Sequence, residues 1–324
     1  LLIFHFPIVI LVAKLLISLN PGAVMLDVKI LDLHFLGLEK TISSFLIKTS
    51  DGPVLIETGP HSSIQSLEKG LKENGVETED VKHVFLTHIH LDHAGAAWYF
   101  AQKGASVYVH PFGVKHLADP SKLMESARRI YQDKMDYLWG QMHSINESQL
   151  VAVNDERTIE IGGVAIKALH TPGHAIHHIA WQINDILFSG DVAGVKIENG
   201  PVVPPCPPPD INVESWKSSI ERIKNAGVSQ LYLTHFGIVK DVFPHLDDLE
   251  SVLDEWAFWI KNQMEKGTDA ESMTPMFQGF VADGLRHQGL TGRQIEQYEA
   301  ANPAWMSVAG LMRYWIKRKS AEQA

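Results

Sequence analysis

Residues 88–93 read His88-Ile89-His90-Leu91-Asp92-His93, which puts four metal-competent side chains within six residues. His88 and His90 are two apart, so in an extended or turning segment they project from the same side. Asp92 and His93 follow where a strand gives way to a helix, so they approach from a different backbone direction. Imidazole and carboxylate are the donors that suit zinc, iron and related divalent ions. A His-dense turn without a metal is the plain alternative, but four such groups at one strand end are awkward to explain structurally. Further donors stand downstream: His174 in Thr171-Pro172-Gly173-His174, Asp191 closing Leu187-Phe188-Ser189-Gly190-Asp191, and His235 after Leu231-Tyr232-Leu233-Thr234. Each alone reads as a hydrogen-bonded surface residue. Recurring together at strand ends, they read as a ligand set.

The elements that must position these groups follow from apolar patterning. Short strands are expected at Leu26–Phe35, Thr41–Thr49, Pro53–Glu57, Val81–Leu86 and Ser106–His110, with Ser50-Asp51-Gly52 as a hairpin turn. Helices are expected over His61–Glu73, capped by Gly75, and over His93–Lys103. Pro111–His143 reads as mostly helical and polar enough to lie outside the core. A second strand-rich block runs through Leu150–Val153, Thr158–Ile161, Val164–Leu169, His177–Ile183 and Asp185–Ser189. Pro201–Pro209 holds six prolines in nine residues and must be an extended loop. Val213–Asn225 then reads as a helix, Gln230–Thr234 as a strand, and the chain beyond Phe243 as helical. In that tail Thr291 with Gln294 forms a capping-box pattern, and Asn302-Pro303 a cap before a helix-opening proline. Trp256, Ile260 and Met264, and Trp305, Val308, Met312 and Ile316, recur at helical spacing. Packing against the main domain is the first reading of both stripes; walling a substrate pocket is the second.

The chain has 324 residues with 28 Lys+Arg against 38 Asp+Glu, a formal charge of −10 that argues against a nucleic-acid binder. Its single cysteine, Cys206, excludes an internal disulfide and any cysteine-based metal cluster. Seventeen histidines are an unusual endowment. Residues 1–24 are set apart: Leu1–Leu19 is almost continuously apolar and reaches the lower end of membrane-spanning length. It reads as translation upstream of a start at Met25, as a signal or anchor, or as a buried helix. Three units are expected, namely this segment, a domain over 25–245 and a helical region over 246–324. The expected location is cytoplasmic, or secreted or membrane-anchored if the apolar segment is native.

The motifs His88-x-His90-x-Asp92-His93, Thr-Pro-Gly-His174, Ser-Gly-Asp191 and Thr-His235 resemble the metallo-β-lactamase superfamily. Their separations (86 residues from His88 to His174, 17 on to Asp191, 44 on to His235) are similar to that family's order. The resemblance spans about Leu26–His245 and implies an αββα sandwich of the α/β (α+β) class, with the tail as a helical extension. It further implies that His88, His90 and His174 hold one metal and Asp92, His93 and His235 a second, with Asp191 bridging. Two divalent ions, zinc first and iron or manganese as alternatives, are the implied cofactors. Glu57 stands where the family usually has Asp in its Asp-Thr-Gly, a position that supports the site from behind the ligands; the extra methylene should change what it touches. His170, His177 and His178 have no ligand counterpart and read as supporting or structural residues.

By this resemblance a hydroxide held between two metals attacks a small ester, thioester or lactone, with Asp92 orienting it and carrying a proton toward the leaving group. No Gly-x-Ser-x-Gly elbow is present to offer a serine nucleophile. Asp210 and the proline-rich loop are expected to border the pocket. A small-molecule substrate and no nucleic-acid partner are expected. The rival reading is a mononuclear iron oxidoreductase of the persulfide dioxygenase type on the same fold; a non-catalytic relative would be expected to have lost a ligand.

Overall fold

The computed structural model describes residues 26–322; the apolar segment 1–24 and the readings made of it lie outside the described residues. Two six-stranded sheets form the centre. In the first, β1 (Val28–Asp32), β2 (Ser43–Thr49), β3 (Gly52–Ile56), β4 (His83–Phe85), β5 (Ser106–Val109) and β6 (Leu150–Ala152) lie in sequence order. The β1–β2–β3 meander is antiparallel and β3 to β6 are parallel. The second runs β12-β11-β10-β9-β8-β7, from β7 (Thr158–Ile161), β8 (Val164–His170), β9 (Ile179–Ile183), β10 (Ile186–Phe188), β11 (Gln230–Leu233) and β12 (Gly237–Val239). Its only parallel pair among the described residues is β10–β11.

Both sheets bury both faces, which is why their strands read as apolar runs rather than clean alternations. Phe45 and Ile47, Val54 and Ile56, Phe85, Trp181, Phe188 and Tyr232 point between the sheets. Their neighbours one residue away turn outward, as the two-residue period requires. Leu46, Leu55 and Val84 meet the helices over the first sheet. These are α1 (Ile64–Glu73), α2 (Leu91–Ala94), α3 (Ala97–Gln102), α4 (Pro111–Ala118), α5 (Ser121–Tyr131) and α6 (Met135–Leu138). Ala180, Leu187, Leu231 and Leu233 meet the helices over the second sheet, namely α7 (Val213–Lys224), α8 (Val242–Glu265), α9 (Ala270–His287), α10 (Gly292–Ala301) and α11 (Ala304–Glu322). The result is the expected four-layer αββα sandwich.

Several details differ from the sequence reading. The single helix expected over His93–Lys103 is broken into α2 and α3, because the His93 carbonyl is spent on the Thr58 and Gly59 amides (2.9 and 3.1 Å). The edge strand β12, too short to show a period, was not anticipated. Residues 111–143 are not peripheral: Leu117, Met124, Ala127 and Met135 are buried against the first sheet. The boundary expected at His245 falls inside α8, where His245 is buried and donates from Nε2 to the Ala193 carbonyl (2.8 Å). Trp256, Ile260, Val308 and Tyr298 close over the same core as β8–β11, so the helical tail completes the outer layer of the second sheet. Ile316 is the exception in its stripe and is exposed. The Thr291–Gln294 capping box is present at the start of α10. No helix among the described residues is long and apolar enough to cross a membrane.

Candidate metal centre

All the expected ligands, and Glu57 expected behind them, lie just past the carboxyl ends of strands: Glu57 after β3, His88–His93 after β4, His174 after β8, Asp191 after β10 and His235 after β11. Both sheets therefore feed one edge of the sandwich, where five chain segments meet. His88 Nε2, His90 Nδ1 and His174 Nε2 converge to within 2.9–3.2 Å of one another. Three nitrogens bound to one zinc at about 2.0–2.1 Å in tetrahedral geometry stand about 3.3 Å apart, so these rings are already arrayed as a ligand face. On the other side His93 Nε2 and His235 Nε2 stand 3.8 and 3.5 Å from Asp92 Oδ2. Asp191 lies between: Oδ2 is 3.3 Å from His174 Nε2, while Oδ1 is 3.2 Å from His93 Nε2 and 3.5 Å from His235 Nε2.

The test of whether a cation fits is what these atoms lack. His93 Nε2, His235 Nε2 and Asp191 Oδ1 are buried without a hydrogen-bond partner. Burying such groups unpaired is costly, and a metal ion removes the cost for all three at once. The groupings His88/His90/His174, His88/His93/Asp191 and Asp92/His93/His235 can each converge on an ion. The chain's donor set thus fits divalent metal.

The backs of the rings are fixed by groups the sequence reading did not anticipate. His174 Nδ1 donates to the Pro205 carbonyl (2.8 Å) and His235 Nδ1 to the Thr41 carbonyl (2.7 Å). Each bond sets the tautomer that leaves Nε2 free to ligate. Glu57 is fully buried; it accepts from His93 Nδ1 (3.0 Å), from the Thr87 hydroxyl and from the Thr87 amide (3.3 Å). Thr87 Oγ1 in turn lies 3.0 Å from His88 Nδ1, so one carboxylate steadies two members of the cluster. His178 accepts from the Asp191 amide (3.2 Å) and contacts Thr171 Oγ1 (2.8 Å), a supporting role. His170 lies further off, bonded to the Val153 carbonyl (2.9 Å) and packed on His110. His177 packs on His90 and is buried with Nδ1 unpartnered. Gly190 sits at φ +51°, and a Cβ there would lie 2.5 Å from Thr87 Oγ1 and 2.7 Å from His178 Nε2. Only glycine lets the backbone carry Asp191 this close to its supports.

Charge is arranged across the cluster. Burial, followed by the crowding of other imidazoles, holds His88 and His90 well below the usual histidine range. They are therefore neutral donors at physiological pH. His93 is also desolvated, but the carboxylates of Asp191, Asp92 and Glu57 outweigh burial and raise it. Burial would raise Asp92, yet His93 and His235 bring it down to about 2, so it stays ionised.

In front of the cluster opens a cavity of about 150 Å³ that reaches His90, Asp92, Asp191 and His235. Its walls are apolar: Phe35, Leu123, Ile130 and Trp139 from the first-sheet side, Pro205 and Pro207 from the proline loop, and Trp305 and Met306 from α11. The loop borders the site as expected. Asp210 does not; it lines a separate groove with Pro172, Asn212 and Lys317. The helical run Leu123, Ala127, Ile130 had the spacing of a buried face, and that signal could have placed α5 at the cavity. Nothing local to Trp139 could have done so.

The family model of the metallo-β-lactamase superfamily matches residues 38–235, and the chain belongs to that superfamily. It is 30% identical over 166 residues to the metallo-β-lactamase fold-containing protein ST1585 of Sulfurisphaera tokodaii, covering 50% of this chain and 62% of that protein. It is 25% identical over 171 residues to an atrochrysone carboxyl ACP thioesterase of Aspergillus fumigatus (52% of this chain, 31% of that one). It is 26% identical over 196 residues to the probable polyketide biosynthesis zinc-dependent hydrolase PksB of Bacillus subtilis (58% and 72%). The chain thus spans less than two thirds of the length of the first curated relatives it matches. The crystal structure of ST1585 superposes with a TM-score of 0.60 at 22% identity, covering 88% of this chain and 98% of that one. The structure of a metallo-β-lactamase family protein from Thermus thermophilus does so with a TM-score of 0.60 at 19% identity, covering 90% and 94%. These superpositions bear on the fold.

Proposed function

We propose that this chain is a metal-dependent hydrolase that holds two divalent ions, zinc first, and cleaves a small ester, thioester or lactone with an apolar acyl group. The observation that carries the reading is Asp191, whose two oxygens face the His88/His90/His174 face on one side and the His93/His235 face on the other. A carboxylate so placed is suited to bridge two ions. When bound, such a pair lowers the pKa of water toward ~7 and polarises a carbonyl oxygen. The chain's own contribution is orientation. Asp92, held ionised and only partly covered, faces the cavity and can accept a hydrogen bond from an attacking water. The apolar walls exclude competing water and seat an acyl body.

The same cavity argues against anionic substrates, because no lysine or arginine among the described residues lines it. A phosphodiester would lack a cationic clamp beyond the metals. Among the similar proteins, two are named as a thioesterase and a zinc-dependent hydrolase, which supports the acyl reading. The test is metal content and turnover on protein purified without chelators. Two zinc ions per chain, with thioester or ester cleavage lost on chelation and restored by zinc, is the expected result. One iron per chain with oxygen uptake on a thiol or persulfide would overturn it in favour of an oxidoreductase.

A further inference from the structure

The cavity in front of the donor cluster, at about 150 Å³, lies below the roughly 300–1,000 Å³ common for small-molecule sites. Its lining does not stop there. Phe35, Ile130, Tyr131, Trp139 and Trp305 line it and also line an open groove of about 720 Å³ that continues outward. Ring contacts build this passage: Phe35 stacks on Trp139 (centroids 5.4 Å apart) and Tyr131 meets Trp305 edge-on (5.6 Å). Burial, and next the charge of Asp92, push the Tyr131 hydroxyl up, so the passage lies within the field of the donor cluster. The groove adds Leu36 and Leu138, together with the polar Gln132, Lys134 and Glu296.

Leu36 carries the argument. It is 37% exposed and stands at φ +55°, a left-handed backbone that a leucine adopts only at a cost. Asparagine, aspartate or glycine would take that conformation more easily and would expose no apolar side chain. Ile130, 45% exposed, is a second large aliphatic side chain left open along the same groove. Two exposed aliphatic side chains, one of them on a strained backbone, do little for folding. On a groove continuous with a reaction cavity they are suited to hold an apolar chain.

We propose that the groove past Tyr131 and Trp305 is a chain-binding subsite, that it takes an apolar acyl chain too long for the inner cavity, and that Leu36 sets the preference for length. This rests on the hydrolase reading, which places an apolar acyl group in the inner cavity, and it names how that group continues. The substrate stays a small molecule, with its reacting end at the donor cluster and an alkyl tail in the groove. Leu36 and Ile130 act by covering chain surface and take no part in bond cleavage.

The test uses the metal-loaded protein and two ketones, methyl butyl ketone and methyl octyl ketone. Neither can be hydrolysed, so binding is read whether or not the chain turns over an ester. A fully buried methylene brings about a fourfold gain in affinity; an open groove covers about half of each, which gives about twofold. Titration calorimetry is therefore expected to show the octyl ketone binding about tenfold tighter to the wild type. Leu36→Asn suits the left-handed backbone, so its denaturant midpoint should be no lower than that of the wild type. In this variant the octyl ketone should bind about fivefold more weakly and the butyl ketone as before. Leu36→Met, which keeps an apolar side chain, should retain the preference. With ¹³C-methyl leucine labelling, the Leu36 resonances should shift on adding the octyl ketone and stay in place with the butyl ketone. Equal affinity for the two ketones, a full preference retained in Leu36→Asn, Leu36 methyls unmoved by the octyl ketone, or no binding of either ketone would overturn the proposal. Failure of esters and thioesters to turn over, with the chain-length preference intact, would count against the hydrolase reading alone.

Discussion

Asp191 joins the two halves of the donor cluster through separate oxygens, and it does so from a position with almost no freedom: its amide is held by His178 and its neighbour is Gly190. Replacing one oxygen by an amide nitrogen keeps the volume but removes the charge and half of the bridge. Asp191→Asn is therefore expected to lose metal and to lower kcat/KM by at least about a hundredfold, the scale of a disrupted metal site. Circular dichroism should report a folded chain, since the sheets do not depend on this side chain. Full activity with two metals bound would refute the bridging role. Glu57 shows how a residue's type can mislead while its position does not. The extra methylene expected to redirect its contacts lets it reach Thr87 as well as His93. Its φ of +63° is a left-handed conformation that a non-glycine residue adopts at a cost.

At the scale of elements, the site depends on a helix far from it in sequence. The proline loop supplies both a cavity wall and the carbonyl that orients His174, and α11 holds that loop down. Lys317 Nζ donates to the Pro209 carbonyl (2.9 Å) and Arg313 Nε to the same oxygen (3.3 Å), which gives the basic end of α11 a structural task beyond complementing its dipole. The closest approach is at Gly310, where an added Cβ would lie 1.9 Å from the Cys206 carbonyl oxygen and 2.8 Å from the Pro207 carbonyl carbon. Both obstructing atoms are backbone, so neither can rotate away. Gly310→Val is expected to push α11 off the loop and destabilise the protein by about 1–3 kcal/mol, the cost typical of overpacking. A denaturant titration would measure it, and KM should rise as Trp305 and Met306 leave the cavity wall. An unchanged midpoint would show that the loop is held by other contacts.

For the whole molecule, a large share of the histidines is buried, and this sets the response to acid. His110 and His245 are held down to about 4 and His177 to about 3, in each case chiefly by burial. An unfolded histidine titrates near 6.5. Between those values the unfolded chain binds protons that the folded chain refuses, so stability falls as pH falls. The penalty begins near 6.5 and is complete only below about 3–4. Thermal unfolding of the chelated protein is expected to show a Tm that declines steadily from pH 6 toward pH 4. A Tm that rose on acidification over this range would contradict the burial argument.

What the sequence determined by itself is the part of the protein carried by local pattern. Strand period, turn residues and caps are set by neighbours along the chain, so β7, the Thr291 capping box and α7 were legible to within a residue or two. The donor cluster was legible for a related reason: each of its members follows an apolar strand, and donor types at strand ends form a pattern that survives without coordinates. The site's class could therefore be read before its shape. The tertiary structure decided what depends on pairs remote in sequence. It broke the helix after His93 through hydrogen bonds to residues 58 and 59, and it moved Asp210 out of the pocket. It also brought residues 111–143 and the far C-terminal helix together in the lining of one cavity. A side chain's surroundings come from segments that sequence spacing does not relate, which is why the place of Trp139 in the cavity wall became visible only when the layers were packed.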